Sequence, residues 1–245
     1  MQDFAPTSRT RLKRRRERAA YDEATVYAVL DAGFIAHVGY VIDRQPYVTP
    51  TAYWRDGRRL YWHGSSASRM LRAQSSGLEV CLTVTHIDGL VMARSGFHHS
   101  INYRSVMAFG TARVVDDPAE RARQLDRFIE RLYPGRAAMM RAATRQELKA
   151  TTMVSMEIAE ASAKSRSGPP IDDEADYASD VWAGVVPIAL TSLAPIADPL
   201  LKPGVEPPKS LNKIARQRHF DEALLKLARC SERSATALSS GGDGE

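Results

Sequence analysis

Cysteine is scarce in this 245-residue chain: Cys81 and Cys230 are the only two, far apart and in neither redox nor metal-ligand spacing. That excludes a cysteine-based metal or redox motif and fits a reducing, cytoplasmic setting. Long apolar runs are also missing. The most apolar stretch, 181–197, holds Thr191 and Ser192 and is broken by Pro187 and Pro195, short of the roughly 20 residues a membrane span needs. The N-terminus lacks the apolar core and small-residue cleavage site of a secretory signal. No Gly-x-Gly-x-x-Gly follows a strand pattern and no P-loop is present, so a doubly wound dinucleotide fold is not expected. Internal repeats are absent.

What remains is a globular composition, 44% hydrophobic, with a net charge of +5. Much of that charge sits in residues 9–18, where seven of ten are Arg or Lys. Without interleaved aromatics to stack bases, the run suits a solvated arm or an inter-subunit contact better than nucleic acid. The organisation expected is a basic arm over 1–20, one domain over 21–194, and a Pro-rich linker, amphipathic helix (212–229) and disordered tail over 195–245.

Within the domain, Asp22 caps a helix to about residue 31. Strands are then expected over 34–42, 46–54 and 59–63, with turns at 43–45 and at Asp56-Gly57. Pro50 inside the second strand marks an edge, a bulge or a backbone that faces a ligand. A short helix (66–74) precedes a strand over 78–86, a second hairpin turn at Asp88-Gly89 and a returning strand over 90–96. A long strand follows over 103–115. Asp117 as N-cap, Pro118 at the first helical position and Glu120 completing a capping box open a helix to about 132, Thr144 and Glu147 repeat the box, and 152–158 is the last barrel strand. Residues 161–170 read as a loop. Five or six hairpin-linked strands with short helices indicate an antiparallel barrel.

Two segments concentrate chemistry. His63, Gly64, Ser65, Ser66, Ser68 and Arg69 join a strand end to a helix start, where unpaired N–H groups, hydroxyls and a guanidinium fork suit a phosphate; plain helix capping is the alternative. The second, 98–105, carries His98, His99, Asn102, Tyr103, Arg104 and Ser105, too polar for an ordinary half-buried strand. Adjacent histidines on a strand point to opposite sides and no further ligands accompany them, so no metal site is expected.

These segments, with His37-Val38-Gly39, Pro46 to Thr51, Asp88-Gly89-Leu90-Val91, Pro134-Gly135-Arg136 and Val181 to Val185, resemble the pyridoxamine 5′-phosphate oxidase-related flavin-binding proteins. The likeness is to the branch that includes 5-nitroimidazole resistance proteins, and it extends over roughly residues 10–190. The resemblance implies a mainly β fold, an antiparallel split β-barrel of Greek-key type with peripheral helices and a C-terminal helical extension. It implies a homodimer binding FMN in a groove between subunits. Ser68 and Arg69 would hold the phosphate with help from Gly64 and Ser65, and Thr49, Pro50 and Thr51 would present backbone to the isoalloxazine edge. Asn102, Arg104 and Ser105 would approach the flavin from the next strand, and Trp182 would close over it from the partner chain. Ala36 and Arg16 depart from the pattern, which weakens inference about a substrate thiol contact and the path of the arm.

The activity expected is that of an FMN-dependent oxidoreductase on a small organic acceptor, a nitro-aromatic or quinone, with NAD(P)H as possible donor and His63 as the catalytic proton carrier. The alternative for His63 is a backbone hydrogen bond at its strand end. The rival function is a carrier that binds flavin, heme or deazaflavin without turnover.

Overall fold

The computed structural model describes residues 3–211; the helix expected over 212–229 and the tail beyond it lie outside them. Asp43 and Arg44 both take left-handed backbone, φ 49° and 64°, as a two-residue type I′ hairpin loop demands. Ile42 therefore faces Gln45, and β2 (Ile35–Ile42) pairs with β3 (Gln45–Asp56) in a register that sets Tyr40 opposite Tyr47 and His37 opposite Pro50. β4 (Arg59–Ser65) pairs only with residues 53–56 of β3, so Pro50 lies where one edge of β3 has no partner strand and its missing donor costs little.

β5 (Leu78–Met92) and β6 (Ser100–Val114) form the longest pair. β7 (Thr151–Glu157) and β8 (Glu160–Arg166) follow, β1 (Ala19–Ala20) flanks β8, and β9 (Gly184–Pro187) flanks the far part of β5. The order is β1-β8-β6-β7-β4-β3-β2-β5-β9, and the further pairing of β5 with β6 closes six strands into a ring, an antiparallel barrel. Alternation along each strand fills the inside with Val38, Leu60, Trp62, Leu82, Val106 and Met156.

The helices pack outside or across the ends. Asp22 accepts from Thr25 N–H (2.8 Å) and starts α1 (Glu23–Ala32), whose Val26, Val29 and Leu30 join the core. α2 (Arg69–Ser75) is capped by Ser68, three residues later than the expected start. α3 (Pro118–Leu132) has the expected bounds, but Glu120 does not complete a capping box. It accepts instead from Tyr61 O–H (3.1 Å), tying the helix to β4 over a second cluster of Trp54, Tyr61, Val115 and Met153. At its other end Arg131 donates to the carbonyls of Asp31 (2.9 Å) and Gly33 (2.7 Å), satisfying the C-terminus of α1. α4 (Arg145–Ala150) carries the expected reciprocal box of Thr144 and Glu147. No helix among the described residues is long and apolar enough to cross a membrane.

Three further expectations are corrected. Asp88-Gly89 does not turn: β5 runs through it with a bulge, and Gly89 has no left-handed φ. Glycine is required because β9 passes so closely that a Cβ would meet Val185 Cγ1 at 2.9 Å and Val186 O at 3.0 Å. Residues 161–166 are not loop but β8, small because Ala161 and Ala163 lie under the core. The described sheet therefore has nine strands rather than five or six.

The N-terminal segment packs on the domain at its start. Phe4 is buried beneath the Arg58 guanidinium (4.3 Å) and edge-on to Tyr27, and Glu160 accepts from both Thr7 and Arg9, while residues 13–17 are exposed.

Closure of the ring concentrates at Gly110. There β6 leaves β8, paired to Phe109, and takes up β7 from Ala112, and a Cβ at 110 would overlap Glu157 O and approach Met156 Cγ at 2.7 Å. Gly110→Ala is expected to destabilise the protein by roughly 3 kcal/mol, the upper range of overpacking, measured as a lower urea midpoint.

Candidate functional site

The strand-to-helix corner at residues 64–69 is built as a donor cluster. Ser65 Oγ accepts from Ala67 N–H (3.2 Å), Ser68 N–H donates to Ser65 O (2.9 Å), and Ser68 Oγ accepts from Leu71 N–H (3.4 Å). Capping therefore occupies a lone pair of Ser68 and leaves its hydroxyl proton to donate outward. Gly64 sits against Leu71, so the turn packs closely on α2. The Arg69 guanidinium lies over the Tyr47 ring at 4.6 Å, and Tyr47 in turn stacks on Tyr40 at 5.5 Å. No carboxylate pairs with Arg69 among the described residues. An exposed arginine braced on an aromatic platform and lacking an acid suits an anion.

Thr49, Pro50 and Thr51 lie on β3 two to four residues beyond that platform, and Tyr40 O–H and Thr49 Oγ1 are 3.0 Å apart. The platform is what sequence reading missed. The signal existed, because a two-residue loop at 43–44 counts outward to Tyr40 opposite Tyr47.

His63 shares the outward face of β4 with Tyr61 and Ser65, by alternation. Its ring meets Phe128 edge-on at 4.8 Å and Trp54 at 5.7 Å. Burial in that aromatic setting lowers its pKa, and its shielded Nδ1 has no hydrogen-bond partner. Its charged form is thus disfavoured, and among the described residues Nδ1 does not make the backbone hydrogen bond that was its alternative.

The β6 residues make contacts within the chain. Arg104 grips Asp88 through Nε and Nη2, both 2.8 Å, leaving a shielded Nη1 without a partner among the described residues. Asn102 donates to Gly168 O (3.1 Å) and accepts from Arg166, and Ser105 donates to Lys164 O (3.2 Å). The structure thus groups Gly64, Ser65, Ser68 and Arg69 at one corner and Asn102, Arg104 and Ser105 along another strand. Trp182 lies apart, its indole over Gly184 and 64% exposed. His98 approaches Asp173 (3.3 Å), and with Asp176 their ligating atoms fall within 4.8 Å, a grouping sequence spacing concealed; Asp173 is four-fifths exposed, as expected of a surface loop tie.

The family model for pyridoxamine 5′-phosphate oxidase matches residues 22–165, which hold the whole barrel and the 64–69 corner. The chain belongs to this family. A search among curated proteins found no match. Among solved structures, this family member is similar to the flavocytochrome Anf3 from Azotobacter vinelandii, at 46% identity over 86% of this chain and 98% of that one, with a TM-score of 0.82. It is also similar to the FAD and heme binding protein from Mycobacterium smegmatis, at 36% identity over 81% and 97% of the two chains, with a TM-score of 0.78.

Two imidazoles give the family member an acid sensitivity. Burial lowers the pKa of His63 and of His86, whose Nε2 lies 3.0 Å from Val29 O. Unfolded, each would protonate near pH 6.5. The unfolded chain then binds more protons than the folded one, so stability falls as pH drops below about 6.5, by up to about 1.4 kcal/mol per unit for each histidine. Urea midpoints at pH 7.5 and 5.5 are expected to show this loss, and His86→Gln to reduce it.

Proposed function

We propose that this chain is a flavin-binding redox protein whose flavin phosphate docks at the corner of residues 64–69. The observation that carries this reading is the unpaired Arg69 braced on Tyr47 at the head of α2, in a chain 46% identical to a flavocytochrome. Arg69 would engage phosphate oxygens bidentately while Ser68 and Ser65 donate hydroxyl protons. FMN and FAD share the phosphate nearest the isoalloxazine ring, so the corner serves either, and the name of the mycobacterial neighbour favours FAD over FMN.

A bound flavin supplies hydride and single-electron transfer. The residues of the chain position it, exclude water and handle protons. The open edge of β3 at Thr49, Pro50 and Thr51 would face the ring, and Arg104 Nη1 and Asn102 would approach it from β6. His63, kept neutral, would exchange a proton near the reacting centre. Two copies would pair with the flavin between them, covering the outward apolar side chains of β2 and β3, and Trp182 would close the groove from the second copy. A nitro-aromatic or quinone is the acceptor proposed, with NAD(P)H as donor.

A second reading adds heme, favoured by both high-identity neighbours. The chain offers the donor chemistry it needs, an exposed imidazole at His37 and the neutral imidazole of His63. The absorption spectrum of the purified protein tests both readings. Bands near about 375 and 450 nm are expected from flavin, and a Soret band would add heme. Anaerobic bleaching by NAD(P)H, reversed by a nitro-aromatic or quinone, separates an enzyme from a carrier.

Arg69→Ala is expected to weaken flavin binding by about 1.5–3 kcal/mol, or about ten- to 150-fold, in titration of the apoprotein. Tyr47→Leu, which removes the brace but not the cation, is expected to cost about 0.5–1 kcal/mol.

A further inference from the structure

The segment after β9 is anchored at both ends and bare between them. Ile188 N–H donates to Asp88 O (3.1 Å) at the edge of β5, and Ser210 lies against Gly135 just beyond α3. Residues 188–210 contain no helix or strand; beyond Ile188 their backbone hydrogen bonds are local turns such as Leu201 N–H to Asp198 O. Prolines at 195, 199, 203, 207 and 208 prevent the strap from adding to a sheet as a strand. Its aliphatic side chains point to solvent: Leu190, Leu193, Ile196 and Leu200 are 71, 82, 97 and 90% exposed. Asp198 is the one charged residue among the fourteen from 188 to 201. A solvated linker is polar, and this composition is not.

The barrel exterior carries the matching deficit. By strand alternation Ile35, Val41, Val48, Ile87, Leu90 and Met107 share the outward side of β2, β3, β5 and β6, all 41–68% exposed with the strap present. In the sheet order β2 and β3 lie between the first anchor, on β5, and β4, over which α3 packs next to the second anchor, yet the strap side chains and that face are both exposed, so the two do not cover one another within one chain.

We propose that the 188–210 strap is an exchange arm that lies on the outward barrel face of a second copy of this chain. Each copy contributes one strap and one face, so a twofold pair covers both and closes without leaving either bare. A membrane fits less well, because 188–201 has no Lys or Arg to meet anionic headgroups. The inference rests on the pairing of two copies put forward above and names the element that secures it.

Light scattering across a dilution series on the full chain tests it, with a variant in which Leu190, Leu193, Ile196 and Leu200 are all Ser. Every altered side chain is exposed, so the fold should persist, checked by circular dichroism. The expected result is a wild-type pair and a variant whose dissociation constant rises at least about tenfold. A benzophenone side chain at position 193 should give a product of twice the chain mass, joined to a peptide of β2, β3, β5 or β6. Unchanged pairing in the Ser variant with only intrachain photoproducts overturns the exchange arm and leaves pairing intact, whereas a monomeric wild type overturns both. Co-sedimentation with anionic vesicles, lost in the Ser variant, would also overturn it in favour of a lipid surface.

Discussion

One strand has to serve three neighbours. β6 pairs along its length with β5, with β8 up to Phe109, and with β7 from Ala112 onward, and this exchange of partners closes the ring. Two backbones can converge at the crossover only where no side chain stands between them, and Gly110 provides that space against Glu157 O. From this closure follow the position of β7 beside β4, the inward set of Trp62, Leu60 and Met156, and the outward platform on which α3 sits. The corner at 64–69 inherits its place from the same source, because β7 holds β4 through Ser65 opposite Thr151 before the chain turns into α2.

Polar groups then lock the periphery to the ring. Trp54 donates to Gln124 (2.9 Å), Gln124 donates to Asp56 (2.7 Å), and Arg127 pairs with the same carboxylate (2.5 Å). This relay, buried at Trp54 and Gln124 and open to solvent at Arg127, fixes α3 over the outward face of β3 and β4, so Phe128 shields His63 and disfavours its charged form. The electrostatics of the candidate site are thus set by a packing contact of a helix remote in sequence.

Local chemistry made much of this readable from the residues alone. Asp22, Asp117 with Pro118, and Thr144 with Glu147 each announce a helix through a backbone donor that needs an acceptor, and each does so here. Ser68 caps α2 for the same reason, three residues later than the expected start. What stayed hidden depends on contacts between distant segments. Asp88-Gly89 carries a hairpin signal, yet Asp88 is held by Arg104 and Gly89 by the close passage of β9. β8 has little β-propensity because small side chains are what fit under the barrel there. The pairing of Tyr47 with Tyr40 could be counted from the hairpin loop, but its contact with Arg69, 22 positions further on, could not.

Between β8 and β9 the chain is clamped twice. Arg166 donates to Asn102, to Gly168 O (3.3 Å) and to Pro169 O (3.1 Å), and the side chain of Asp172, wholly shielded from solvent, accepts from Arg94 N–H and Nη1, both at 3.0 Å. Both clamps bind backbone or fixed geometry rather than flexible side chains alone, so the path length from 166 to 172 cannot be adjusted. Natural variants of this barrel should accordingly keep this span free of inserted or deleted residues and accumulate length changes after Ile188, where the last tie to β5 has already been made.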